Sequence, residues 1–510
     1  MLLLFLSFFE AISVMMSNAK AVLSVDLGTT GIRALLYGKT GNLLASAYRE
    51  FHQFYPKPGW VEHDPEEIWR TSLAVIKRAL MSARIRSGEL AGIGVTNQRE
   101  TTVLWDRRTG RAVHRAVVWQ DRRTADLCAR LRKKGLEKEF REKTGLVLDP
   151  YFSGTKIRWL LDHVPGLRKK ASRGEILFGT VDTWFLWNLT GGTSHATDFT
   201  NASRTLLFNI RTKKWDPYLL KHLGVFPNML PRVLPSGSVF GRTASVGPLT
   251  KGIPVTAMMG DQQAALYGQG CYRVGDAKNT YGTGCFAVVN AGRNCPKPVP
   301  GLLATLACDD QGNPVYALEG SIFIAGAAVQ WLRDGLRFFK HASETNALAQ
   351  KVQDAGGVVV IPAFVGLGSP YWNPNVRGMI SGLTRGTRRE HVVRATLESI
   401  AHQTADVMDR IEETGSFKIR HLKVDGGATA NRFLMQVQAD FLRLPVFVSD
   451  AKEATAWGAA KLAAKTAGFW PSLHSIDQRR SYRRFFPKMP SAEAVAARKG
   501  WKSEIRRLLS

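Results

Sequence analysis

Short apolar runs alternate with longer stretches whose apolar residues recur at helical spacing, and this alternation predicts an α/β protein. Residues 21–27, AVLSVDL, read as a buried strand. IRALLYG, 32–38, reads as its hairpin partner, with Gly28 and Gly31 in the turn. A helix is predicted from Asp64: aspartate suits the N-cap, Pro65 the first helical position, and Glu67 completes a capping box. Ile68, Leu73, Ile76 and Leu80 carry it onward at roughly helical spacing. In the later half, Val393, Leu397, Ile400, Val407 and Ile411 mark one face of a helix over 390–414 that Gly415 ends. HLKVD, 421–425, then reads as a strand, Gly426-Gly427 as a turn, 428–442 as a helix and PVFVS, 445–449, as the next strand.

One pattern occurs twice. AVLSVDLGTTGIRALLYG (21–38) and AKNTYGTGCFAVVNAG (277–292) each give a strand, a Gly-Thr hairpin and a second apolar strand. Two such units some 250 residues apart predict two related domains, with a boundary near residue 268 that no Pro- or Ser-rich linker marks. The chain has 510 residues, enough for each half to bury its own core.

The glycine-rich turns are the candidate chemistry. Gly38-Lys39-Thr40 mimics the end of a P-loop, but Arg33 stands where its first glycine belongs. Gly282-x-Gly284-x-x-Ala287 mimics a dinucleotide fingerprint but leads into a strand-like run instead of a helix. Asp26-Leu27-Gly28-Thr29-Thr30-Gly31 is different in kind. It is a tight turn after a strand, whose N–H groups and hydroxyls can cradle phosphate oxygens and whose aspartate can hold Mg²⁺. Thr280–Gly284 offers a second such hairpin, and Gly426-Gly427 lets a nucleotide approach the backbone. Each reads alone as a structural turn; three in this order point to phosphate binding.

Composition changes this picture little. The formal charge is +28, from 70 Lys plus Arg against 42 Asp plus Glu. The excess is spread in short clusters with no aromatic-interleaved basic stripe, so it reads as a basic surface and no specific nucleic-acid site is expected. Five cysteines, Cys128, Cys271, Cys285, Cys295 and Cys308, form no C-x-x-C pair and no zinc-ligand spacing, which favours a reducing compartment and a cytoplasmic location. Residues 1–9, MLLLFLSFF, are apolar. They lack a preceding Lys or Arg, run straight into Glu10, and are too short for a membrane span. Residues 1–16 are therefore expected to be a non-native or disordered extension, with the start at Met15 or Met16, and no stable membrane insertion is expected.

Twelve segments in order, among them VDLGTT, YPKPGWVEHDPEEIW, TNQRETT, VVWQDRRTA, LDPYFSGTK, GDQQAAL, KNTYGTGCF, ALEGSIFIAGAAVQWLRD and VDGGATANRFLMQ, resemble the FGGY carbohydrate kinases of the actin-like ATPase superfamily, from about residue 20 to 470. NQRETT and DPYFSGTK resemble the glycerol-phosphorylating branch more than the ketose and other polyol kinases. The resemblance implies two actin-like (ribonuclease H-like) ATPase domains, over 17–268 and 269–510, flanking a cleft. It also implies transfer of phosphate from ATP to glycerol with Mg²⁺, and a dimer or tetramer by analogy with family members. It assigns Asp26, Thr29, Thr30 and Arg33 to the first phosphate loop, with Asp26 and Asp261 near the metal. Arg99, Glu100, Trp119, Tyr151, Asp261, Gln262 and Phe286 fall to the polyol pocket; Gly282, Thr283, Gly326, Gln330, Gly427 and Asn431 fall to the nucleotide, with Asp261 as base.

The residue chemistry suits those roles. Hydroxyls need donors and acceptors together, which Arg99, Glu100, Asp261, Gln262 and Tyr151 supply, and a carbon skeleton needs an apolar wall such as Trp119 and Phe286. Outside the resemblance, Arg99 and Glu100 read as an exposed ion pair, Trp119 and Tyr151 as core, and Asp261 as a turn or cap residue. The chain departs from the family at Leu27, where glycerol kinases usually carry Gln, and at Asp121. The glycine-and-arginine loop that binds fructose 1,6-bisphosphate in some bacterial relatives is not evident; TASVGPLTKGIP (243–254) stands there. The C-terminal stretch 481–509 is basic and reads as a surface helix or a docking site for anionic partners.

Overall fold

In the computed structural model, residues 18–414, 417–450, 453–470, 472–477 and 481–510 are described. The expected extension over 1–16 and the helix end at Gly415 lie outside them. Two mixed sheets organise the chain. The first is built from β1 (Ala21–Leu27), β2 (Gly31–Gly38), β3 (Leu43–Glu50), β4 (Leu90–Asn97) and β5 (Pro254–Gly260), in the order β5-β4-β1-β2-β3, with Gly241–Arg242 as a short edge beside β5. β1 pairs antiparallel with β2 and parallel with β4, so the hairpin turn and the C-terminal ends of β1, β4 and β5 lie at one edge of the sheet. Loops at such strand ends are where open α/β sheets place ligands.

The second sheet repeats this plan. Its strands are β6 (Ala277–Tyr281), β7 (Cys285–Gly292), β8 (Leu303–Cys308), β9 (Pro314–Ile322), β10 (Leu422–Asp425), β11 (Val446–Ser449) and β12 (Tyr482–Phe485), ordered β8-β9-β7-β6-β10-β11-β12. The hairpin β6–β7 and the parallel neighbour β10 occupy the positions of β1–β2 and β4. The two Gly-Thr turns that echo each other in sequence are thus equivalent turns of two like sheets.

The helices follow the predicted apolar faces with some changes at their ends. α1 (Pro65–Ala83) starts where expected, with the Asp64 carboxylate accepting from the Glu66 N–H at 2.9 Å. Glu67 does not close a capping box; it reaches across to His52 and accepts from its backbone N–H and ring. The helix predicted over 428–442 begins only at Arg432, because a single 3₁₀ turn over 427–430 intervenes and Asn431 is the N-cap.

Residues 98–240 insert between β4 and β5 and carry a core of their own around Leu104, Phe140, Phe152, Leu160, Phe178 and Leu206.

Two helices couple the sheets. α2 (Asp261–Gly268) follows β5 and also touches β6, β7 and β8. α3 (Gly326–Asp334), α4 (Arg389–Glu412) and α5 (Arg432–Leu442) belong to the second half, but α6 (Ala454–Thr466) returns to pack on β1, β4 and β5. Its backbone carbonyls accept from Ser24 (2.7 Å) and Thr256 (3.0 Å) of the first sheet. α2 and α6 cross at Gly458, where a Cβ would lie 1.9 Å from the Ala264 carbonyl oxygen, so only glycine permits the approach.

The C-terminal helix α7 (Ser491–Leu509) is not a loose basic appendage. Arg498 donates to Asp406 (2.6 Å) and Asp409 (2.9 Å) on α4. Trp501 donates to Asp406 at 2.6 Å and stacks on His402, whose other side stacks on Phe441.

Candidate active site between the two sheets

β1 ends at the first hairpin turn. Asp26 lies beside it, and desolvation raises its carboxyl to about 7, an effect that Arg33 opposes and Asp261 and Glu453 reinforce. Thr29 accepts a hydrogen bond from the Trp119 indole N–H at 3.0 Å, and Thr30 is exposed. Arg33, expected on the phosphate loop, pairs through Nη1 with Glu453 at 2.8 Å and covers the Tyr48 ring at 4.7 Å. Leu27 closes the strand and is buried in the core of the first sheet.

β4 runs into Arg99 and Glu100. Both are 2% exposed, so they are not the surface ion pair that sequence alone favours. Their charges are matched by two residues that were not among the predicted site residues. Glu319 on β9 accepts from Arg99 at 2.5 and 2.9 Å, and from Arg204 at 3.0 Å; Arg204 also donates to Glu100 at 2.8 Å. Burial alone would raise Glu319, but the two guanidiniums outweigh it and hold the carboxyl down at about 2. Glu100 moves the other way, upward, because burial dominates there.

Asp261 opens α2 directly after β5, where the helix N-terminus favours negative charge. One oxygen accepts from the Gln262 N–H at 2.7 Å and lies 3.3 Å from Arg99 Nε. Its side chain is 32% exposed, whereas the carboxylates of Glu100 and Glu319 are enclosed. Trp119 and Tyr151 meet edge to face at 5.5 Å, and Trp119 lies 6.5 Å from Phe286 of the second sheet. The Tyr151 hydroxyl is 3.4 Å from Arg99 Nη2. Arg99, Glu100, Trp119, Tyr151, Asp261, Gln262 and Phe286 are therefore linked by contacts into one cluster, drawn from the first sheet, the insert and the second sheet. Asp121, one of the departures from the family, is fully buried nearby and holds Arg123 and the Val61 N–H.

On the second sheet, the hairpin turn leaves Gly282 and Thr283 exposed. The N–H groups of Gly326 and Ala327 at the start of α3 bond the carbonyls of Gly282 and Thr283, at 3.0 and 3.1 Å. Gln330, exposed, lies one turn further along α3. Gly426 has φ +96°, and a Cβ there would meet the Tyr281 carbonyl at 2.3 Å, which brings the 426–427 turn against the same hairpin. Gly427 faces open space. The Asn431 side chain caps α5 through the Leu434 N–H (2.9 Å) and donates to Thr345 (3.0 Å). Lys278 on β6, the first residue of the KNTYGTGCF segment, is another residue outside the predicted site set. It is fully buried, and burial lowers its ammonium to about 8 against the opposing pull of Asp425, Asp261 and Glu319. The signal available for Lys278 and Glu319 was their place inside the KNTYGTGCF and ALEGSIFIAGAAVQWLRD segments.

The FGGY family of carbohydrate kinases matches this chain twice, its N-terminal domain over residues 21–268 and its C-terminal domain over 277–467. The chain belongs to the FGGY family of carbohydrate kinases. A glycerol kinase of Caldanaerobacter subterraneus subsp. tengcongensis is 53% identical over 493 residues, covering 96% of this chain and 99% of that one. The glycerol kinase of Bacillus subtilis (strain 168) is 51% identical over 486 residues, covering 95% and 98%. Among solved structures, a Plasmodium falciparum glycerol kinase with ADP superposes with TM-score 0.90 at 36% identity, over 96% of this chain and 98% of that one. A ligand-bound xylulose kinase from Lactobacillus acidophilus shares the fold at TM-score 0.87 and 21% identity, over 96% and 98%. The two matched FGGY domains coincide with the two like sheets.

Proposed function

We propose that this FGGY kinase transfers the terminal phosphoryl group of ATP to glycerol, giving sn-glycerol 3-phosphate and ADP. One observation carries the reading: Asp261 is a partly open carboxylate at a helix N-terminus, 3.3 Å from the Arg99 guanidinium and near enough to Asp26 to act on it electrostatically. The aromatic wall of Trp119, Tyr151 and Phe286 suits the carbon edge of a small polyol, and Arg99, Gln262 and Tyr151 suit its hydroxyls. The near relatives that are glycerol kinases support the choice of glycerol within the family.

Phosphoryl transfer needs alignment and charge neutralisation more than covalent help. The glycerol hydroxyl attacks the γ-phosphorus, an O–P bond forms, and the bond to the β,γ-bridging oxygen breaks with its electrons leaving on ADP. Asp261 accepts the hydroxyl proton, a contribution of about 10²–10⁴-fold in rate. Thr29 and Thr30 on one side, and the exposed Gly282–Thr283 turn with Gly326, Gln330, Gly427 and Asn431 on the other, hold the nucleotide.

Asp26 and Asp261 would hold Mg²⁺. The Asp261 charge helps to raise the Asp26 carboxyl, so the two carboxylates form a hard-oxygen donor set that a cation would suit. Bound there, the ion supplies positive charge that offsets the phosphates.

A coupled ADP assay with purified protein tests the assignment. Glycerol is expected to turn over with a kcat/KM at least about tenfold above D-ribulose or D-xylulose. Equal or faster turnover of either ketose would move the chain to another branch of the family. No helix among the described residues is long and apolar enough to cross a membrane.

A further inference from the structure

The Lys278 ammonium is enclosed by three acceptors. Nζ donates to Gln262 Oε1 at 2.5 Å, to Thr280 Oγ1 at 3.0 Å and to the Phe286 carbonyl at 3.2 Å. Three donors meet three acceptors, and the residue is fully buried. Two of those partners, Gln262 and Phe286, belong to the cluster that forms the polyol pocket.

An ammonium donates only. The end of the Gln262 amide that faces Lys278 must therefore be its oxygen, and the NH₂ end is left for the pocket. A glutamine free to flip would offer a hydroxyl either a donor or an acceptor; this one offers a donor alone. We infer that Lys278 is a positioning residue for the reaction: it fixes the direction of the Gln262 amide so that Nε2 donates to a substrate hydroxyl. The inference rests on the proposed polyol reading of the same site. It adds a specificity device, because a site whose amide cannot flip rejects a group that only donates or cannot accept there.

The charged groups near Lys278 define the rival explanation. Asp261 on α2, Asp425 on β10, Glu319 on β9 and Arg99 after β4 all act on it electrostatically. If Lys278 served mainly as countercharge to Asp261, its loss would change the proton-accepting step and hence kcat. If it serves to direct Gln262, its loss appears in binding of the polyol. The exposed 282–283 turn is tied by its own Gly282 N–H to Gly284 carbonyl bond (2.9 Å) and by α3, so ATP binding has a separate anchor.

The test is a double-mutant cycle on the full chain with Lys278→Met, Gln262→Leu and the double variant, following KM for glycerol, KM for ATP and kcat. Lys278→Met is expected to raise the glycerol KM about tenfold or more while kcat and the ATP KM stay within about threefold. In the Gln262→Leu background the same substitution is expected to raise the glycerol KM less than about twofold. Equal effects in both backgrounds, or a loss confined to kcat, overturn the inference. If thermal melting shows that Lys278→Met does not fold, Lys278→Gln replaces it in the cycle, because its shorter amide can turn either its oxygen or its NH₂ outward and so no longer fixes the direction of Gln262; the same results then support or overturn the inference. Wild-type protein that fails to phosphorylate glycerol would instead overturn the substrate assignment, and the cycle is then read on whichever family substrate is turned over.

Discussion

At the scale of single residues, the site separates charges that are spent on one another from the one that is open. Glu100 and Glu319 are enclosed with Arg99 and Arg204, so neither is presented to a substrate as a free base. Asp261 touches the same guanidinium yet keeps a third of its side chain accessible. Replacing it by asparagine preserves shape and removes the proton acceptor. Asp261→Asn is expected to lower kcat about 10²–10⁴-fold and to leave ADP binding, followed by calorimetry, within about threefold. Near-normal turnover would remove Asp261 from the proton-accepting role. Residues of this kind were legible in the sequence only through the family resemblance: Arg99 and Glu100 look like a surface pair until the strand that carries them is seen to end beneath the insert. Lys278, Arg204 and Glu319 were not legible as a group, because the contacts that tie them to Gln262 and Arg99 and to one another span 16 to 220 positions along the chain and no local spacing encodes such a meeting.

At the scale of elements, hairpins and helices were read well wherever apolar periodicity was strong and capping was local. The two Gly-Thr hairpins and α1 are such cases. The start of α5 was misplaced because Gly427–Ala430 forms a 3₁₀ turn, whose composition resembles a first helical turn. The return of α6 to the first sheet left no trace in local pattern at all. It is enforced by the close crossing with α2, where Gly458 meets the Ala264 carbonyl. α2 begins with Asp261, so this crossing also fixes the direction in which the carboxylate points. Gly458→Val would push the helices apart or distort α6. It is expected to destabilise the protein by about 3 kcal/mol or more, since the obstruction is backbone on both sides. Chemical denaturation measures it, and a loss below about 1 kcal/mol would show that the crossing has slack.

At the scale of the whole molecule, the links between the two sheets include the α2–α6 crossing and the carboxylate of Glu319. Glu319 sits on the second sheet; Arg99 follows the first sheet's β4, and Arg204 comes from the insert. One side chain therefore ties three parts of the chain at the floor of the proposed polyol pocket. Burial of so many charges need not stabilise the fold relative to an apolar core of the same volume, but removing one partner leaves the others uncompensated. Glu319→Gln keeps the volume and one acceptor oxygen while leaving Arg204 to Glu100 alone and Arg99 to Glu100 and the partly open Asp261. We expect a loss of about 3–5 kcal/mol in unfolding free energy. In protein that remains folded, Arg99 loses its bidentate anchor, and the glycerol KM is expected to rise more than the ATP KM, because Arg99 borders the polyol pocket and makes no contact with the 282–283 turn. Unchanged stability together with equal shifts in both KM values would mean that the sheets are held by contacts other than Glu319 and that Arg99 is positioned by its remaining neighbours.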